Sequence, residues 1–386
     1  MMKIFQKILF IILPYLLNGQ TDYYYPLKNS EWETKSPNDF NIESKEFYRA
    51  IEIAKESANR DTKDLRQAIL KGFESEPYHQ IIGPTKKRGE SAGVILKNGY
   101  IISKWGDLER VDMTFSVTKS YLSTVAGIAF DKGLINAVSE PVKDYVWNGK
   151  FNGKHNSKIT WEHLLNQSSD WSGELWGGLD WADRPPRQGG LDEWKFRTLN
   201  EPGTKFEYND VRVNLLAYSL LEIFREPLPK ILKNHIMDPI GASTTWRWYG
   251  YENSWINIDG VKVQSVSGGG HSGGGLFINT LDQARFGLLI LSNGYWDNKP
   301  IVSDKWIKKA ISPSQPNENY GYMWWLNQNK SNPHLSSISS NAFYASGFGG
   351  NYIIIEPDYD LVIVLRWFDN NKTNEFVKMI IETMKN

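Results

Sequence analysis

The spacing of apolar positions changes several times along this chain, and each change marks an element. Over 44–57 and 62–73 apolar residues recur every three or four positions, the period of a one-sided helix, which predicts two amphipathic helices. The run SAGVILKNGYIISKWG (91–106) has two apolar stretches around Lys97-Asn98-Gly99. Asn-Gly tolerates the positive φ angles that a tight hairpin demands, so strands are expected at 92–96 and 100–105. From Ser116 onward Val117, Leu122, Val125, Ala126, Ala129 and Phe130 follow a period near 3.6, and Lys132-Gly133 ends the run. That helix is apolar on several sides and belongs in a core.

The next stretch, 134–265, is rich in Trp, Gly, Pro and Asp and predicts short helices at 161–167, 211–225 and 227–236. Strands then return at 275–279, 320–326, 341–346, 351–356 and 361–367, with Asp358-Tyr359-Asp360 as a hairpin turn and helices at 281–292, 303–311 and 373–384. Strands at both ends of the chain around a helical middle predict an α/β (α+β) fold: one antiparallel sheet flanked by helices, with a mainly helical lobe (134–265) inserted. The expected division is a leader over 1–19, an N-terminal extension with helices over 20–90, and one domain over 91–386, with a cleft between its lobes as the site.

Composition narrows the function. Hydrophobic residues make up 40% and charged residues 23%, ordinary globular values, and 44 basic residues balance 44 acidic ones. No global field favours nucleic acid, so a small or neutral partner is expected. Lys3 and Lys7 precede an apolar run over 8–17 that Pro14 interrupts and that ends at Asn18, Gly19 and Gln20. The run is short of the roughly 20 residues a membrane span needs, so it reads as a secretory signal rather than an anchor. Cleavage near Gly19, a periplasmic or extracellular location and no stable membrane insertion afterwards are expected. The absence of cysteine excludes a lipoprotein thioether, disulfides, a thiol nucleophile and cysteine-held metals. No His-Glu-x-x-His, EF-hand, Walker or dinucleotide-binding pattern stands in suitable context, so neither cofactor nor metal is expected.

Ser116 and Lys119 form the only Ser-x-x-Lys spacing in the chain, directly after a hairpin and at the mouth of the buried helix. Three residues along a helix put two side chains within reach of each other. A serine hydroxyl needs a base, and a lysine serves only if burial or a nearby positive charge lowers its pKa; the apolar helix is expected to supply that burial. The alternative is that Ser116 merely caps the helix.

With these residues the chain resembles the penicillin-recognising serine hydrolases, and most closely the class C β-lactamase-like branch near the 6-aminohexanoate-oligomer hydrolases. FSVTKS (115–120), LLNQSSDWSGELWG (164–177), FEYNDVRVNLLAYSLL (206–221), GGGHSGGGLFINTLDQARFG (268–287) and ASGFGGNYIIIEPDYDLVIV (345–364) carry the resemblance. It implies a β-lactamase/transpeptidase-like fold, Ser116 as nucleophile, Lys119 as base and Tyr208 as the proton shuttle of a Tyr-x-Asn element. The backbone N–H groups of Ser116 and Phe348 are implied as the oxyanion hole. Asp210 stands where the family has asparagine, and either pairs Lys119 or caps the following helix. Ala345-Ser346-Gly347 matches an element that usually begins with a cation and helps hold a substrate carboxylate. Alanine cannot do so, which ranks another amide or ester above an antibiotic as substrate. His271 is implied near the site or as a structural histidine, and Trp171 and Trp176 as cleft lining or as core. A β-lactamase, a D-amino-acid peptidase and a non-catalytic ligand-binding protein of the same fold are the rival readings; oligomeric state is not legible.

Overall fold

The structure is a computed structural model describing residues 23–329 and 335–385; the expected leader lies outside them. Six antiparallel strands form the central sheet in the order Trp325–Leu326, Phe343–Gly347, Asn351–Glu356, Leu361–Arg366, Ala92–Lys97, Tyr100–Trp105. The predicted hairpin turns at Asn98 and Gly99, both with positive φ. The strand that opens it pairs with the last strand of the chain, Ile95 opposite Ile363, so the two ends of the domain close one sheet.

Strand periodicity divides the core. Val94, Leu96, Ile353, Ile355, Val362 and Val364 face the helix Thr280–Leu291 and the helix Thr118–Asp131, which carries Lys119, while Ile95, Ile354, Ile363 and Leu365 face the terminal helices Ser44–Glu56 and Asn370–Thr383. Both faces are covered, which explains why these strands read as continuous apolar runs. Among the described residues no helix is long and apolar enough to cross a membrane.

Three expectations change. The inserted stretch contains the helices Trp161–Leu165, Leu191–Lys195, Asp210–Phe224 and Leu228–Leu232, but it closes in a long hairpin, Arg247–Ile258 with Val261–Val266, belonging to a second sheet with Asp112–Met113 and Gly275–Ile278. The missed signal was Asp259-Gly260, an Asp-Gly turn with both φ angles positive. Of the strand expected over 320–326 only Trp325–Leu326 pairs as a strand; Met323 adopts φ +61° and bonds back to Gly321, so this apolar segment is a buried turn. Ser116 lies in a single 3-10 turn, Phe115–Val117, ahead of the helix rather than capping it.

Candidate active site

The turn that carries Ser116 is fixed from below. Phe115 has φ +49°, the left-handed region that costs a non-glycine residue about 1–2 kcal/mol. Its ring is held against Phe348 and Trp367, at centroid distances of 5.2 and 6.2 Å. Arg366, which no sequence pattern singled out, anchors the strand leading into the turn. Its buried guanidinium donates to the carbonyls of Ile278 (2.8 Å), Met113 (3.0 Å) and Asp112 (3.2 Å) and to Asn351 Oδ1 (2.8 Å). Burial, opposed by Asp112, lowers its pKa to about 10.

One turn along, Lys119 Nζ donates to Ser116 Oγ at 2.9 Å. Lys119 is buried as expected, but burial does not leave it uncharged. Asp210 Oδ1 lies 2.6 Å from Nζ. Desolvation pulls the lysine pKa down, and Asp210 together with Tyr208 more than reverses this, so the net shift is upward. Lys119 is therefore an ammonium at neutral pH, which corrects the expectation of a burial-activated base.

Asp210 opens the helix Asp210–Phe224, while the cap itself is Asn209, whose side chain accepts from Arg212 N at 3.0 Å. The Asp210 carboxylate instead gathers three cations: Lys119, Arg184 Nη2 at 2.8 Å and His271 Nδ1 at 3.3 Å. Its backbone N–H donates to Asp183. Burial raises the Asp210 pKa, but Arg184, Lys119 and His271 hold it well below the usual carboxylate range. His271 Nε2 lies 2.7 Å from Glu76 and 3.4 Å from Asp183. Burial lowers the histidine pKa, and Asp183, Asp210 and Glu76 outweigh it, to about 9.

Charge balance follows. Glu76, Asp183 and Asp210 supply three negative charges; Lys119, Arg184 and protonated His271 supply three positive ones. Glu76, Asp183 and His271 also bring ligand-capable atoms within 4.8 Å of one another. Arg184 Nη1, 3.0 Å from Asp183, and the imidazolium already compensate these carboxylates, so the arrangement fits an ion-pair cluster better than a metal site.

Tyr208 borders a cleft of about 570 Å³ with Phe73, Ser116, Arg184, Ser346 and Phe348 among its lining. Lys119 Nζ lies 4.8 Å from the Tyr208 ring centroid, and Trp325 stacks on the ring at 5.8 Å. Gly347 lets its strand press against the nucleophile: a Cβ there would lie 2.3 Å from Thr114 O and 3.2 Å from Ser116 N. The adjoining turn is tied by Asn351 Nδ2 donating to Phe348 O at 2.8 Å. Gly269 does the same beside the lysine, where a Cβ would lie 2.5 Å from Lys119 Nζ.

Trp171 and Trp176 do not line this cleft. Trp171 is 1% exposed, packed in the core with Nε1 donating to Lys150 O at 2.7 Å, because its ring is needed to fill the inserted lobe. Trp176 packs edge-on against Tyr218 and borders a separate pocket of about 150 Å³, whose lining includes Asp183, Asp210 and His271. Asp183, Arg184, Glu76 and Phe73 were not found from the sequence. Glu76 and Phe73 fall in the segment read as an N-terminal extension, and only pairing across long sequence distances brings them to the site.

Comparison with known proteins bears on the fold and the family. A solved structure carrying the name 6-aminohexanoate-dimer hydrolase, from Bacillus anthracis, superposes with a TM-score of 0.56 at 16% identity, covering 94% of this chain and 88% of that one. A β-lactamase from Mycobacterium bovis gives 0.52 at 18% identity, covering 80% and 99%. Among curated proteins, one from Salmonella paratyphi B named as a D-alanyl-D-alanine carboxypeptidase is 23% identical over 205 residues. That match takes in 43% of this chain and 45% of the relative, so the chain spans less than half the length of the curated relatives it matches. The structural likenesses establish the fold alone. The family profile described as Beta-lactamase matches residues 103–378, which include Ser116, Lys119, Tyr208 and Phe348, and the chain therefore belongs to the Beta-lactamase family of serine hydrolases.

Proposed function

We propose that this protein is an exported hydrolase that opens an amide or ester bond in a small substrate through an acyl-enzyme on Ser116. The observation that carries the reading is the 2.9 Å contact between Lys119 Nζ and Ser116 Oγ at the edge of an open cleft. Lys119, held charged by Asp210, orients the serine oxygen and stabilises negative charge beside it. Once deprotonated, Tyr208 takes the serine proton while Oγ attacks the carbonyl carbon. The oxyanion that forms accepts from the backbone N–H groups of Ser116 and Phe348. As the intermediate collapses, the bond to the leaving amine or alkoxide breaks and Tyr208 returns the proton to it. Water then attacks the acyl carbon and loses a proton to Tyr208; as this second intermediate collapses, the bond to Ser116 Oγ breaks, Tyr208 returns the proton to Oγ, and the carboxylic acid product leaves.

This assigns Lys119 an electrostatic role and moves the base to Tyr208. The curated relatives' name favours a D-amino-acid peptidase as second reading, whereas Ala345, standing where a substrate carboxylate is usually held, disfavours it. Rapid turnover of nitrocefin or of a D-alanyl-D-alanine peptide would select that reading. The first test is hydrolysis of a neutral p-nitrophenyl ester by the wild type and Ser116→Ala. Loss of at least about a thousandfold in a folded variant is expected; an unchanged rate contradicts the reading.

A further inference from the structure

We propose that Arg184 is a positioning residue of this reaction, supplying the second positive charge that stabilises Tyr208 in the deprotonated form that takes up the proton. The inference rests on the serine-hydrolase reading above and adds a residue outside its sequence motifs.

The guanidinium is held from several sides. Nη1 lies 3.0 Å from Asp183 and Nη2 2.8 Å from Asp210. The Tyr208 and Phe73 ring centroids lie 5.2 and 5.4 Å from its central carbon. The backbone of Arg184 has φ +49°, a conformation a β-carbon-bearing residue adopts only when its surroundings impose it. The side chain remains 29% exposed, and the residue borders the same cleft as Ser116 and Tyr208.

Neutralising Asp183 alone does not require a tyrosine ring at this distance or access to the cleft. Cations near an aromatic ring are favourable, and the gain grows when the phenol becomes a phenolate. Lys119 reaches Tyr208 from the nucleophile helix and Arg184 from the inserted lobe, and Asp210 binds both, so one carboxylate sets the position of two cations relative to one tyrosine. Asp210, which pairs both cations, is joined to the His271, Asp183 and Glu76 cluster, and the Tyr320 ring meets Tyr208 edge-on at 6.3 Å. Phe73 follows the helix Leu65–Gly72 and lies outside the 103–378 family match, so one side of this clamp is contributed by the N-terminal segment.

The test compares wild type, Arg184→Gln, Arg184→Lys and Phe73→Ala on a neutral p-nitrophenyl ester across a pH series, with Ser116→Ala as baseline. Arg184→Gln is expected to lower kcat by about 10- to 100-fold at neutral pH with little change in KM. The loss should narrow as pH rises, because the acid limb of the profile moves upward. Arg184→Lys should recover most of the rate. Phe73→Ala, which opens one side of the clamp without removing the charge, should move the same limb less far, and it decides the matter if the glutamine variant does not fold. An equal loss at every pH, a change confined to KM, or no shift in either variant overturns the proposal. Activity surviving in Ser116→Ala overturns the underlying reading instead, whatever Arg184 does.

Discussion

The two walls of the cleft are built on different physics. On one side Ser116, Ser346, Gly347 and Phe348 belong to backbone whose position is set by an apolar sheet, a strained turn at Phe115 and close approaches that only glycine permits. On the other side Tyr208 and Arg184 line the cleft and are backed by Lys119, Asp210 and His271, a set positioned by one another's charges, with Glu76 and Asp183 completing the balance. The first wall fixes where atoms are; the second fixes which of them hold protons. A substitution on either wall should fail in the manner of that wall.

The largest effect is expected on the charged wall. Asp210→Asn leaves Lys119, Arg184 and His271 with one anion fewer in a buried volume, and should cost about 3–5 kcal/mol of stability together with at least about a hundredfold in rate. A urea melt and ester hydrolysis on the same preparation measure both; a stability loss under about 1 kcal/mol would show that the cluster is not coupled. Gly347→Ala acts on the other wall. Its Cβ would meet Thr114 O at 2.3 Å, so the strand must withdraw from Ser116. Turnover should fall by about a hundredfold through the displaced N–H groups, with only about 1–3 kcal/mol lost from the fold.

His271 sharpens the comparison through pH. Its folded pKa of about 9 lies above the ordinary 6.5, so its contribution is complete below pH 6.5 and is lost as pH rises through about 9. The difference corresponds to a stabilisation on the order of 3 kcal/mol. Thermal melts of the wild type should decline over that window, and His271→Gln should flatten the decline. The smallest effect belongs to Trp171. Replacing it with Phe removes the bond to Lys150 O and some packing, for about 1–2 kcal/mol, and should leave the ester rate unchanged. A tenfold loss of rate would return this tryptophan to the cleft.

The same division explains how far the sequence could be read. Apolar runs and Asn98-Gly99 located the sheet because both are local features of the chain, and the spacing of Ser116 and Lys119 pointed to the proposed nucleophile because both sit on one turn of chain. Tyr208 came from resemblance. Nothing local announces that Glu76 meets His271 or that Phe73 meets Arg184, since these contacts join segments more than a hundred residues apart, and Tyr208 reaches Arg184 across an irregular stretch with no period to read. The protonation state of Lys119 was misread for the same reason. Burial can be inferred from an apolar helix, whereas the opposing carboxylate of Asp210 arrives from another lobe.

The central claim, an activated Ser116, is tested most directly by intact-protein mass spectrometry of the wild type and Ser116→Ala after exposure to a fluorophosphonate probe. A single adduct on the wild type and none on the folded variant is the predicted result. No adduct on a folded wild type, or equal labelling of both proteins, would contradict it.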